Sequence, residues 1–211
     1  ATTEPDGFTR VPTAAGLDLT DEAAYVHVTS NNTIAGTEWP RPPDVGERPL
    51  VVDASSDIFS RPIDIARHGL IYAGAQKNLG PAGVTIVVMR GDLVHRASSA
   101  LPTLMRYATF ATSRSLHNTP PVFAIYVVAL VTSWIRDGGG LEEMAGRNER
   151  KARGLYDVID RSAFYRGAAE PGSRSRMNVT FRLTDAELDA LFIREAEAAG
   201  LAGLKGHRSV G

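Results

Sequence analysis

Cysteine is absent from the 211 residues, which excludes disulfide frameworks, thiolate nucleophiles and cysteine-ligated metals. Lysine is scarce: of 23 Lys plus Arg, only Lys77, Lys151 and Lys205 are lysine. Neither sign of charge is in excess. With 24 Asp plus Glu the net charge is -1, whereas a general binder of nucleic acid or another polyanion carries a basic surplus. Long hydrophobic runs are missing too. The longest, Val122–Val131, falls far short of the ~20 apolar residues that span a bilayer. No Walker A sequence, GxGxxG or HExxH occurs, and the five histidines show no metal-ligand spacing. The first residues form no basic, apolar leader and neither end carries a lipidation motif, so a cytoplasmic protein is expected. Loop-like sequence at both ends reads as belonging to a longer polypeptide.

The composition that remains, 43% hydrophobic and 22% charged, is that of a globular protein. The length suits one large domain, or one domain plus part of another. Runs rich in Val, Ile and Tyr at 24–29, 49–53, 70–73 and 84–89 are bounded by Gly, Pro, Asn and Asp and predict strands. Several are continuously apolar, which predicts burial on both faces, as in a parallel sheet. A Pro/Arg-rich loop (38–48) and a helical or turn segment (58–68) lie between them. From Pro120 the period becomes helical. A helix is predicted to about Arg136, stopped by Gly138–Gly140, and a second over 141–161. After a turn-rich stretch, 177–183 reads as a strand. Thr184–Glu187 then fits a capping box for a helix to Ala199, closed by Gly200. This is an α/β region followed by an α+β region, with the boundary between Gly138 and Arg147.

Three places carry candidate chemistry. In Tyr72–Gly83 a lysine follows a strand, in a loop of small residues. Ligands of open α/β sheets bind at such carboxyl ends. Lys77 is read either as a solvated loop residue or as an amine, partly shielded by Ala and Gly, that serves as a nucleophile. Arg prevails elsewhere and cannot form a Schiff base. Asp53 ends another apolar strand, either as a cap or as a carboxylate paired with a cationic ligand atom. Ser30–Thr33 reads first as a turn, and its hydroxyl and amide groups also suit a ligand. Ser173–Arg176 reads as a turn. Arg147, Arg150, Lys151 and Arg153 read as a solvated helix face. Phe123, Tyr126, Leu130 and Trp134 read as core or subunit interface.

Five blocks in order, Thr29–Ile34, Val52–Asp64, Gly69–Gly83, His117–Pro121 and Gly200–Gly211, resemble the phosphoserine aminotransferase family. The third block, GLIYAGAQKNLGPAG, and the last, GLAGLKGHRSVG, are the most specific, and the likeness covers essentially the whole chain. It implies an α/β fold of the fold type I enzymes that use pyridoxal 5'-phosphate. Residues 1–146 would be the C-terminal part of the large cofactor-binding domain, and 147–211 part of the small C-terminal domain. It implies a homodimer with shared active sites that moves the amino group of L-glutamate onto 3-phosphohydroxypyruvate, giving O-phospho-L-serine in serine biosynthesis. Lys77 matches the Schiff-base lysine and proton shuttle, and Asp53 the carboxylate on the pyridine nitrogen. Thr33 matches the threonine at the ring hydroxyl and Gln76 a residue at the cofactor phosphate. Asn118 and Thr119 match a pair sent to that phosphate from the partner subunit. His207 and Arg208 match groups for the substrate phosphate. No metal is implied.

The family chain is longer at both ends. Its remaining phosphate ligands, its stacking aromatic and its carboxylate-gripping arginine lie outside the match. His117 stands where the family usually has Tyr. The lone 211-residue chain is therefore expected to be weakly active or inactive, with exposed sheet edges prone to aggregation. Two alternatives stand beside the enzyme: another fold type I enzyme, or a truncated, non-catalytic dimerisation or binding module.

Overall fold

The computed structural model describes residues 2–206. In chain order the strands are β1 (Val26–Thr29), β2 (Asn31–Asn32), β3 (Thr37–Glu38), β4 (Leu50–Asp53), β5 (Leu70–Gly74), β6 (Thr85–Met89), β7 (Tyr165–Gly167) and β8 (Phe181–Leu183). The helices are α1 (Ala75–Asn78), α2 (Tyr107–Thr112), α3 (Val122–Asp137), α4 (Gly140–Arg161) and α5 (Asp189–Ala198), with short 3-10 turns between. They divide into two compact units. One is Asp18–Ser30 with Pro42–Gly146; the other is Ala1–Leu17 with Asn31–Arg41 and Arg147–Gly211. Among the described residues, no single helix is long and apolar enough to cross a membrane.

The first unit is built on a sheet of order β1-β4-β5-β6. β1, β4 and β5 run parallel, with Thr29 opposite Asp53 and Asp53 opposite Tyr72. β6 returns antiparallel to β5. Side chains alternate between the two faces of such a sheet. On one face Leu50, Val52, Ile71 and Ala73 are buried, packed with Ala54, Ile58, Leu79 and the half-buried Val26, Val28 and Val128. Removing one such leucine or isoleucine from water contributes about 1.5–3 kcal/mol. On the other face Val51, Asp53 and Tyr72 are half-exposed, and His27, Thr29, Thr85 and Val87 are exposed. Burial on both faces, expected from the apolar runs, is found only at the start of β5, where Leu70 and Ile71 are both buried. The β-branched residues satisfy a strand's preference on either face, but only one face of this sheet is covered within the unit.

Lys77 is not in a loop, as its neighbours suggested. β5 passes directly into the single turn of α1, whose Ala75 is fully buried and whose Leu79 cap is nearly so. Further on, α3 starts at Val122 rather than Pro120, with Pro121 as its N-cap. It buries Ala124 and Ile135. Phe123, Tyr126, Leu130 and Trp134, expected in a core or an interface, are 50–74% exposed. They occupy the side of the helix away from Val128, which meets the sheet core.

In the second unit, Asn148, Ala152, Tyr156 and Ile159 of α4 recur at helical spacing and are buried. Ala152, Tyr156 and Ile159 pack with Tyr165, Val179 and Phe181. The rings of Tyr165, Phe181 and Phe192 meet edge to face, with centroids 5.3–6.1 Å apart, the arrangement their quadrupoles favour. The strand expected over 177–183 begins only at Phe181. The preceding backbone is engaged by a side chain instead, because the Met177 and Asn178 N–H groups donate to Ser175 Oγ at 3.0 and 2.9 Å. Asp185 rather than Thr184 caps the last helical segment, accepting from the Glu187 N–H at 2.9 Å. The β2–β3 hairpin turns through Gly36, which has φ +70°. A Cβ there would collide with the Thr180 side chain, so glycine meets both a left-handed backbone and a close approach.

Candidate functional site

The carboxyl ends of β4 and β5 lie side by side because the two strands are parallel neighbours. Asp53 is the last residue of β4. Its Oδ1 accepts from the Ser55 N–H at 2.9 Å, so the chain turns away from the strand around the carboxylate. Ser55 Oγ in turn accepts from the Gly74 N–H at 3.0 Å, which ties the end of β4 to the end of β5. Of the two readings left open by the sequence, the cap is observed. One oxygen holds the turn, and the side chain remains half-exposed on the open face of the sheet.

Asp53 has a further neighbour that sequence reading missed. Tyr72 stands beside it, and burial, followed by the Asp53 charge, pushes the phenol above its usual range. Register explains the pairing, since Asp53 and Tyr72 are direct partners across β4 and β5. His27 Nε2 stands 3.1 Å from Tyr72 Oη.

Lys77 follows three residues after the end of β5, on α1. It is exposed, not partly shielded: flanking Ala and Gly leave the amine open to solvent in this chain. Among the described residues it has no hydrogen bond or ion pair. Its neighbours are fixed. Asn78 Nδ2 donates to the Ile58 carbonyl at 2.7 Å. The Gln76 amide folds back over Gly74, where an added Cβ would stand 2.8 Å from Gln76 Oε1. Gly74 therefore leaves room for the amide at the strand end.

The other residues singled out are more dispersed. Asn118 and Thr119 are exposed on the segment between α2 and α3, with only a 3.4 Å contact from Asn118 Nδ2 to the Thr119 carbonyl. Thr33 belongs to the second unit, half-buried in the turn between β2 and β3. Its neighbour Asn31 is 2% exposed and donates to Asn178 Oδ1 at 2.8 Å. His207 and Arg208 lie outside the described residues.

Two ion pairs of the second unit come from a segment that sequence reading treated as a turn. Arg174 forks onto Asp160 at 2.6 and 2.7 Å and lies 4.5 Å above the Tyr156 ring. Arg176 meets Glu38, 2% exposed, through its backbone N–H and guanidinium, both at 2.8 Å. The hydrogen bond from Arg174 holds the Asp160 carboxyl below the usual carboxylate range. Burial pushes the Tyr156 phenol up to about 12, against the opposing charge of Arg174. Its hydroxyl donates to the Ser175 carbonyl at 2.9 Å. A cavity of about 400 Å3 opens here, but each of its arginines, Arg153, Arg174 and Arg176, already meets an acid. The Ser-Arg-Ser-Arg alternation was the available signal, since the serines turn inward while the arginines seek carboxylates.

Residues 4–210 match the family model described as Aminotransferase class-V. The chain belongs to that family. It is 53% identical to a phosphoserine aminotransferase of Lysinibacillus sphaericus over 100% of its own length and 59% of the relative's. A relative of the same name in Syntrophobacter fumaroxidans is 56% identical, over 97% and 56%. Among solved structures, phosphoserine aminotransferase from Bacillus circulans subsp. alkalophilus aligns with a TM-score of 0.96 at 50% identity, covering 99% of this chain and 58% of that one. The pyridoxal-phosphate-bound phosphoserine aminotransferase of Trichomonas vaginalis aligns with a TM-score of 0.90 at 37% identity, over 96% and 58%. The chain thus spans somewhat more than half the length of these relatives, and its fold is that of the fold type I aminotransferases.

Proposed function

We propose that this chain carries the Schiff-base half of a pyridoxal-phosphate aminotransferase that transfers the amino group of L-glutamate to 3-phosphohydroxypyruvate. The observation that carries this most is the placement of Asp53 at the end of β4 and of Lys77 just past the end of its parallel neighbour β5. Pyridoxal phosphate fits that donor set at two of its ends. A half-exposed carboxylate with acceptor capacity left over suits a protonated ring nitrogen. An amine without a partner among the described residues suits an aldehyde.

When bound, the cofactor supplies an aldehyde that bonds amines and a ring that withdraws electrons from a substrate carbon. Asp53 holds the proton on the ring nitrogen. Lys77 offers Nζ as the resident amine and, once freed, carries a proton to and from the substrate carbon. Thr33 serves the ring hydroxyl, and Gln76 the cofactor phosphate. Asn118 and Thr119 reach that phosphate from a second copy of the chain, and His207 with Arg208 binds the substrate phosphate. Association of two copies is supported by the exposed Phe123, Tyr126, Leu130 and Trp134 of α3, since so many large apolar side chains on one helix mark a contact surface. Names of the relatives support phosphoserine as the product. A cytoplasmic place in serine biosynthesis belongs to the same reading.

The test incubates the chain with pyridoxal phosphate, L-glutamate and 3-phosphohydroxypyruvate and follows phosphoserine beside the Lys77→Ala variant. The expected result is slow formation, above that of the variant. Equal, measurable rates for the two would count against this function.

A further inference from the structure

We infer that Ser55 and Asn78 are positioning residues, which fix the place of Lys77 relative to Asp53 through two hydrogen bonds of the turn over 54–58. The inference rests on the roles proposed above for Asp53 and Lys77.

The turn starts where the ladder of the sheet stops. The Ala54 N–H still donates to the Tyr72 carbonyl at 2.9 Å, as the parallel register directs. One step further, the ladder would take the Gly74 N–H to the Ala54 carbonyl. That carbonyl instead accepts from the Asp57 and Ile58 N–H groups, at 3.1 and 2.7 Å. Closing the turn on itself would leave the half-buried Gly74 without its ladder acceptor, and an unmade hydrogen bond there is unfavourable. Ser55 Oγ takes the vacated role, accepting from the Gly74 N–H at 3.0 Å. The Ser55 N–H meanwhile donates to Asp53 Oδ1 at 2.9 Å. One residue therefore bonds the carboxylate with its backbone and the neighbouring strand end with its side chain.

The other end of the turn reaches the residue next to Lys77. Asn78 Nδ2 donates to the carbonyl of the buried Ile58 at 2.7 Å. The helix α1 needs such support. It has four residues, and a single helical turn fixes many torsions for few hydrogen bonds. Its start is held by Gly74 on Ser55 and by the Ala75 N–H on the Val84 carbonyl at 2.9 Å. Its end is held by Asn78 and by the buried Leu79. Lys77 keeps the freedom of its side chain while its backbone is fixed to the turn that also carries Asp53. A ligand that engages carboxylate and amine together needs them at one separation, and a frame set in advance spares the cost of ordering them.

Two probes separate positioning from a general structural role. Pyridoxal phosphate offers a ring nitrogen to Asp53 and an aldehyde to Lys77. Deoxypyridoxine phosphate carries a methyl group in place of the aldehyde, so its binding depends on Asp53 and not on where Lys77 stands. Both are titrated against the chain and against Ser55→Ala, Ser55→Thr, Asn78→Ala and Lys77→Ala. Ser55→Ala keeps the N–H on Asp53 and removes only Oγ. Ser55→Ala and Asn78→Ala should each weaken pyridoxal phosphate about fivefold, the scale of one neutral hydrogen bond, and leave deoxypyridoxine phosphate within about twofold. Ser55→Thr, which keeps the hydroxyl, should match the parent. In the cofactor-free chain, the Gly74 amide should exchange its hydrogen about tenfold faster in Ser55→Ala than in the parent or in Ser55→Thr. Should Ser55→Ala not fold, Asn78→Ala makes the two-probe comparison alone. Variants that weaken both probes equally, or neither, or unchanged exchange at Gly74 in Ser55→Ala, would overturn the inference. If the parent binds pyridoxal phosphate no better than Lys77→Ala does, the role of Lys77 itself falls, and the inference with it.

Discussion

Charged and polar side chains are used in opposite ways in the two units. In the sheet unit, Lys77 is exposed and has no partner among the described residues, and Asp53 is half-exposed with acceptor capacity to spare. In the other unit, Glu38 is 2% exposed and doubly bonded by Arg176, while Arg174 is forked onto Asp160 and covered by Tyr156. The second cluster has more charges and a cavity beside them, yet the first is where chemistry is proposed. Groups that satisfy one another hold a fold together. Groups whose backbone is fixed and whose side chains are left unsatisfied are available to a ligand.

This contrast orders the consequences of substitution. Lys77→Ala should remove cofactor-dependent turnover by roughly 10^3-fold or more, the scale of losing a positioned acid–base group together with a covalent anchor. It should leave the urea midpoint unchanged, since the side chain is exposed and has no partner among the described residues. Glu38→Ala should do the reverse. It strips the acceptor from the Arg176 N–H and guanidinium and should cost about 3 kcal/mol in urea unfolding. A stability loss at Lys77 comparable to that at Glu38 would break the distinction.

Tyr156 gives a smaller, pH-dependent effect. In the folded chain it keeps its proton to about pH 12, whereas its ordinary value is 10.0. The folded state therefore binds the proton more tightly. Its stability is intact below pH 10 and falls between about pH 10 and 12, by at most about 3 kcal/mol. Tyr156→Phe should flatten that fall when unfolding is followed across this range, at a cost of about 1 kcal/mol at neutral pH for the lost bond to Ser175. Smallest of all, Arg153→Ala should change stability by less than about 0.5 kcal/mol, because its 3.4 Å pair with Glu149 is exposed.

β1, β4, β5, β6, α3 and α4 were legible from composition and period alone, because runs of Val and Ile and a 3.6-residue rhythm report local preference directly, whereas the short β2, β3 and β7 were not. Lys77 and Asp53 were legible as candidate site residues, one following and one ending an apolar run. Their surroundings were not. Tyr72 reads in sequence as one more aromatic in a strand, and only the β4–β5 register sets it against Asp53. Shielding of Lys77 was inferred from its small neighbours, but shielding depends on what lies above the sheet, and within this unit the face is open. Arg174 and Arg176 looked like turn residues because their acids, Asp160 on α4 and Glu38 on β3, are distant in sequence. The helix start near Thr184 moved because Asp185 offers the better-placed oxygen.

The measurement that bears most directly on the central claim is reductive trapping. The chain is mixed with pyridoxal phosphate, reduced with borohydride, digested, and the added mass is located. With only three lysines, the outcome is unambiguous. The expected result is a stoichiometric adduct on Lys77, with Lys151 and Lys205 unlabelled, and its loss in Lys77→Ala. No labelling, or labelling spread evenly over the three lysines, would contradict the assignment of Lys77 as the resident amine.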